Sequence, residues 1–110
     1  MNYTQEQVNA IVAEAFAEAR KSAEAFVAVH GDRDCCGFAW TNIYKVKGNT
    51  RLGKMLKAAG IRQDYTKAFQ LWNPSKYPTQ SLNVLEAGAD GATRVFRKYG
   101  FEAYTGSRMD

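Results

Sequence analysis

Residues 48 to 54 read Gly48-Asn49-Thr50-Arg51-Leu52-Gly53-Lys54. This is the G-x-x-x-x-G-K spacing of a loop that cradles phosphates with backbone amides and a lysine. Met55 stands where such a loop places the hydroxyl that holds magnesium, and no apolar strand ending in aspartate is available for the metal. Nucleotide hydrolysis is therefore not expected. The segment keeps one property that does not need magnesium: exposed amides and the dipole at a helix start favour anions. A non-catalytic anion site here would draw on Lys47, Asn49, Thr50, Arg51 and Lys54. The plainer alternative is a strand-to-helix turn followed by lysines on a solvated helix face.

The same region opens a longer basic stretch. Lys45, Lys47, Arg51, Lys54, Lys57, Arg62 and Lys67 face only Asp64 over residues 45 to 67. Tyr44, Tyr65, Phe69 and Trp72 are interleaved with them. Lysine and arginine contact phosphates and aromatic rings stack on bases, so nucleic acid is one candidate partner. Phe69 and Trp72 lie in a strand-like run, however, and read as core residues. The charge bias extends to the whole chain: residues 1 to 44 carry three basic and six acidic side chains, residues 45 to 110 twelve and five. Such asymmetry points to an anionic partner and carries no information about fold.

A third group depends on strand direction. If the strands are parallel, their C-terminal ends gather Asn49, Thr50 and Arg51 with Asn73 and Ser75 and with Ser107 and Arg108. Ligands of open α/β sheets bind at that edge, and the two arginines would clamp a phosphate or carboxylate. Arg108 in particular is expected to be held by a carboxylate of the fold or by a partner. The fourth group is His30, Asp32, Asp34, Cys35 and Cys36. A cysteine beside a histidine is a nucleophile-base pair in some hydrolases, but a histidine at a helix end also meets the dipole favourably. Adjacent cysteines rarely bridge each other, and the spacing fits no zinc site. No catalytic residue, metal or cofactor is assigned.

These residues need elements to position them. Thr4 with Gln7 has the pattern of a capping box. Val8, Ile11, Val12, Ala15, Ala19, Ala23, Phe26 and Val27 recur at helical spacing up to Gly31, predicting a helix over residues 5 to 29. From Gly37 the period changes to two. Phe38, Trp40, Asn42, Tyr44 and Val46 fall on one side, Ala39, Thr41, Ile43 and Lys45 on the other, and this alternation, broken by Gly48-Asn49, predicts a strand. Thr50 caps a short helix stopped by Gly60. Residues 68 to 72 predict a second strand ended by Pro74. A third helix follows Ser81 and stops at Gly100, with Gly88 and Gly91 leaving a groove for another backbone. Residues 101 to 105 predict a last strand, and residues 106 to 110 a polar tail.

The expected architecture is one α+β (or small α/β) domain over residues 1–110, in the order α-β-α-β-α-β, with a three-stranded sheet covered by helices. Helical crossovers permit parallel pairing, and antiparallel pairing stays open. No apolar run approaches the length of a membrane span. No signal peptide is apparent, and the absence of a disulfide framework favours a reducing compartment. If Trp40, Tyr44 and Tyr77 gather in one exposed patch, an interface is expected there.

Three segments carry a family resemblance: Cys36-Gly37-Phe38-Ala39-Trp40, Leu71-Trp72-Asn73-Pro74-Ser75, and Glu86-Ala87-Gly88-Ala89 with Tyr104-Thr105-Gly106-Ser107-Arg108. Over about residues 35 to 110 the chain resembles small accessory proteins encoded by tailed bacteriophages. The resemblance implies a bacterial cytoplasmic setting and a host-modulating role, and it brings no catalytic residue with it. The expected function is non-enzymatic binding of a host protein or nucleic acid. The alternative is a small-ligand or nucleotide-phosphate binder, enzymatic or not, using the strand-end residues.

Overall fold

The computed structural model describes residues 2–110. The first helix, α1 (Gln5–His30), begins at the capping box. The Thr4 hydroxyl accepts the Gln7 amide at 3.2 Å, and the Gln7 side chain accepts the Thr4 amide at 2.9 Å. It ends at Gly31, whose φ of 74° lies in the region that favours glycine. Its buried stripe is Val8, Ile11, Val12, Ala15, Ala19 and Ala23. The alanines leave room for α3 (Leu82–Lys98), which packs alongside. The glycines of α3 make the approach possible. A Cβ on Gly91 would come within 2.8 Å of the Glu18 carbonyl oxygen, and one on Gly88 within 3.3 Å of the Ala19 carbonyl oxygen and 2.6 Å of Ser75 Cβ in the turn after β3.

The sheet contains β1 (Gly37–Tyr44), β2 (Arg62–Gln63), β3 (Phe69–Trp72) and β4 (Glu102–Met109), with α2 (Arg51–Ala58) between β1 and β2. The spatial order is β2-β3-β1-β4 and every neighbouring pair is antiparallel. The α+β class stands, with a fourth strand in place of the expected three. The extra strand is two residues long and polar, too short to show a period. It forms because Asp64 builds the turn: its Oδ1 accepts the amides of Thr66 at 2.8 Å and Ala68 at 3.1 Å, which folds Arg62 and Gln63 back onto β3.

Both helical crossovers connect strands that run the same way, β1 to β2 through α2 and β3 to β4 through α3. In each case an antiparallel strand is inserted between the two. The parallel edge considered from the sequence is therefore not formed. The supposed polar tail is also a strand: residues 106 to 109 continue β4 and pair with Gly37–Trp40. They are polar because β4 is an edge strand, where solvated side chains are tolerated and unwanted pairing is discouraged.

All three helices contribute to one side of the sheet. Ile43, Phe69, Leu71 and Ala103 meet Val8, Ile11 and Ala15 of α1, Met55 and Leu56 of α2, and Val95 and Phe96 of α3. Ala39 packs with Leu85 and Ala89 in a smaller cluster. A buried hydroxyl ladder crosses the same layer. Thr41 Oγ1 donates to the Ala89 carbonyl at 2.9 Å, Thr41 and Thr93 hydroxyls lie 3.1 Å apart, and those of Thr93 and Thr105 2.9 Å apart. No helix among the described residues is long and apolar enough to cross a membrane.

Candidate functional site

The period-two alternation of β1 places Phe38, Trp40, Asn42 and Tyr44 on the side of the sheet that the helices leave open. The antiparallel register adds the neighbours. Trp72 lies opposite Trp40 and Gln70 opposite Asn42 on β3. Arg108, Gly106 and Tyr104 lie opposite Phe38, Trp40 and Asn42 on β4, and Arg62 stands opposite Gln70 on β2. The result is an aromatic surface framed by arginines.

The rings are arranged in an ordered way. Trp40 and Trp72 are parallel within 6°, with centroids 5.4 Å apart. Phe38 lies 5.6 Å from Trp72, and Tyr44 5.8 Å from Tyr104. Trp72 keeps 51% of its surface exposed, which corrects its assignment to the core; its strand neighbour Phe69 is the buried one at 0%. The difference comes from the side of the sheet on which each falls. Between the rings, Gln70 Nε2 donates to Asn42 Oδ1 at 3.1 Å, and Asn42 Nδ2 donates to the Tyr44 hydroxyl at 3.1 Å. These amides keep donors and acceptors within reach of a ligand on the face. Trp40 and Tyr44 thus lie on the same side of the sheet, the first partly buried and the second exposed, whereas Tyr77 lies under Arg20 of α1 at 4.9 Å.

Two hollows flank this face. One, of about 360 Å³, is a notch in the outer edge of β3 where β2 is too short to cover it. Trp72, Gln70, Arg62 and Lys76 are among its walls. The other, of about 690 Å³, lies beyond the Tyr44 end of β1 and is lined by Lys45, Lys47, Lys57 and Lys67, with Gly48, Asn49 and Asp64.

The structure divides the nine candidate residues. Lys47 and Asn49 line the larger hollow. Thr50 is a helix cap: its hydroxyl accepts the Gly53 amide at 3.1 Å and donates to the Lys47 carbonyl at 2.6 Å. Its own amide is bonded to the Lys47 carbonyl at 3.1 Å. The amides of Thr50, Gly53 and Lys54 are thus used internally, and Gly53 is there because a Cβ would come within 2.1 Å of that carbonyl oxygen. Arg51 and Lys54 are exposed on α2. Asn73 and Ser75 form the turn after β3, where Ser75 Oγ donates to Asn73 Oδ1 at 3.3 Å and accepts the Tyr77 amide at 3.2 Å. Ser107 Oγ donates to Glu86 Oε2 at 2.5 Å. Among the described residues Arg108 has no carboxylate partner; its guanidinium lies over the Phe38 ring at 5.4 Å. Because β3 and β4 both run opposite to β1, Asn73, Ser75, Ser107 and Arg108 sit towards the far end of the sheet from Lys47, Asn49 and Arg51. One strand-end site is not assembled.

In the histidine-cysteine group His30 and Asp34 line one small hollow, and neither cysteine is among its walls. Asp34 caps α3, accepting the Ser81 hydroxyl on Oδ1 and the Asn83 amide on Oδ2 at 3.3 Å. Cys36 Sγ donates to Gln80 Oε1 at 3.5 Å, and His30 rests on Phe26 with ring centroids 4.6 Å apart. Cys35 and Cys36 are both free and exposed.

The clearest electrostatic perturbation lies away from these groups. The Lys98 ammonium and the Tyr99 hydroxyl both donate to Glu14, holding its carboxyl below the usual range. The same contacts raise Lys98 and Tyr99 above their ordinary values. This cluster fastens α1 to the end of α3.

The open face was partly legible in the sequence. On β1 the bulky rings fall on one side and Ala39, Thr41 and Ile43 on the other, and it is the smaller set that a packed helix can cover. The contributions of Trp72, Gln70, Arg62 and Arg108 required the register. Comparison of the chain with protein-family models, curated proteins and solved structures found no match.

Proposed function

We propose that the protein is a non-enzymatic accessory protein of a tailed bacteriophage that binds single-stranded nucleic acid in the bacterial cytoplasm, on the open face of its sheet. The parallel pair Trp40 and Trp72, held on the solvent side of the central strands, carries the reading. Base faces stack on such rings with little regard to sequence, each contributing about 1–3 kcal/mol. A four-stranded sheet with exposed aromatics is also a recurrent platform for single-stranded RNA. Arg62 and Arg108 at the margins and the net charge of +4 supply the attraction for phosphates.

The test is quenching of tryptophan fluorescence by single-stranded DNA and RNA oligomers, with duplex DNA as the contrast. Saturable quenching that weakens steeply with salt supports the reading. Absence of binding to every oligomer at low salt removes it.

The second reading is a host protein on the same face, favoured by the clustering of tryptophan, tyrosine and arginine, the residue types that dominate protein interfaces. A pull-down from host lysate, reversed by Trp72→Ala, is the matching experiment. The small-ligand alternative loses support from the separation of its residues along the sheet.

A further inference from the structure

We infer that the lysine-lined hollow beyond Tyr44 is a phosphate-binding extension of the sheet face, taking the phosphodiester backbone of a strand whose bases lie on Trp40 and Trp72. The inference rests on the proposed reading of that face. Three independent features of the hollow support it.

The first is an excess of positive charge. Four lysines line it against one carboxylate, that of Asp64. The Asp64 carboxylate is already used by its turn: Oδ1 accepts the Thr66 amide and hydroxyl and the Ala68 amide. Lys45 pairs with Glu102 at 3.3 Å, while Lys47, Lys57 and Lys67 make no ion pair among the described residues.

The second is shape. Gly48 lies under Lys57: a Cβ at position 48 would come within 2.8 Å of the Lys57 Nζ and 2.5 Å of Gln63 Oε1. The absence of a side chain at position 48 leaves room for the ammonium beside the backbone of the hollow, whose volume of about 690 Å³ accommodates more than one phosphate group.

The third is backbone geometry. Lys45 and Lys67 have φ of 64° and 69°, a left-handed conformation that glycine or asparagine adopts at lower cost. Lysine occupies both positions although local conformation disfavours it, and both side chains line this hollow. Lys76, with φ of 51°, lines the notch beside Trp72 in the same way. The position relative to the rings also fits: Tyr44 is four residues from Trp40, about 13 Å along an extended strand, and Lys45 follows directly.

The experiment measures binding of a thymidine oligomer of about 12 nucleotides, a length within single-stranded site sizes, and of a thymidine trinucleotide, over a range of salt. The proteins are the full chain, the double variant Lys57→Gln/Lys67→Asn, and a control, Lys21→Gln/Arg94→Gln, which removes the same charge elsewhere. All substituted side chains are exposed, and asparagine tolerates the left-handed position 67. The cleft variant is expected to lower the slope of log affinity against log salt for the longer oligomer by about 1.4, since each single-strand phosphate contact contributes about 0.7. Between 50 and 200 mM salt this shrinks the affinity loss about sevenfold. The trinucleotide, stacked on the sheet, should bind the variant as it binds the parent. An unchanged slope, or an equal fall in the control, overturns the inference while leaving the sheet reading standing. Absence of tryptophan quenching by either oligomer in the parent overturns both.

Discussion

Trp40 lies across Gly106 on the neighbouring strand, so close that a Cβ at position 106 would come within 2.2 Å of the indole Nε1 and 2.5 Å of Cε2. The two residues are directly opposed in the β1–β4 register. The absence of a side chain on β4 lets the indole lie down there, in parallel with Trp72.

Gly106→Ala should therefore displace the Trp40 ring rather than the strand. Overpacking of this kind costs about 1–3 kcal/mol. Urea unfolding should show that loss together with a changed near-ultraviolet circular dichroism. A variant with unchanged spectrum and stability would mean that the indole is not seated on Gly106.

Trp72→Ala separates binding from folding. The side chain is half exposed and outside the core clusters, so the change in stability should stay small. Oligonucleotide affinity should fall by about 1–3 kcal/mol, the contribution of one stacked base. Phe69→Ala on the same strand should do the reverse, costing about 3–5 kcal/mol of stability as a fully buried aromatic. Equal effects of the two on binding would remove the distinction between the faces.

Within the hydroxyl ladder, Thr41→Val should be more costly than Thr105→Val. Thr41 is fully buried and donates to Ala89 as well as contacting Thr93, whereas Thr105 is only partly buried. The expected loss at Thr41 is about 1–3 kcal/mol, the cost of leaving buried partners unsatisfied. Thermal unfolding of the two single variants and the double variant measures both the order and the coupling.

The Glu14 cluster sets a pH dependence at both ends. The Glu14 carboxyl is held below its usual value of 4.5 by hydrogen bonds from Lys98 and Tyr99. Its contribution is fully present above that value and is lost as the pH falls through the lower folded value. Lys98 and Tyr99 are raised from 10.5 and 10.0, chiefly by Glu14. Their contributions are present below those values and are lost as the pH rises through the higher folded ones. The stability difference between the parent and Glu14→Gln should be level near neutrality and shrink below about pH 4 and above about pH 10. A difference that is flat across the whole range would show the cluster to be without thermodynamic effect.

Arg108→Ala should leave stability within about 0.5 kcal/mol, as for other exposed positions, and yet weaken binding of single-stranded oligomers. Lysine at 108 should restore only part of the loss, because a guanidinium stacks on a ring and an ammonium does not. Full rescue by lysine would reduce its role to charge.

Local chemistry was enough to place the helices and to divide β1 into two sides. Thr4 and Gln7 satisfy each other's amides within one turn, Gly31 and Gly100 take left-handed φ at helix ends, and the alternation from Phe38 to Tyr44 is a property of the pleat. Gly88 and Gly91 pointed to a close approach of another backbone, and the packing of α1 on α3 supplies it at Gly91. None of these signals says which way a strand enters the sheet. The insertion of β3 between β2 and β1 depends on a turn at Asp64 that reverses a polar segment with no period of its own. The pairing of residues 106 to 109 depends on Gly106 meeting Trp40 across 66 positions of chain. Trp72 illustrates the consequence. Its type and its strand were legible, but its exposure was decided by which side of the sheet the three helices cover, and that is a property of long-range packing rather than of any segment. For the same reason Lys45, Lys47, Lys57 and Lys67 appear in the sequence as a basic stretch, and only the return of β2 beside the loop after β1 closes them into a hollow.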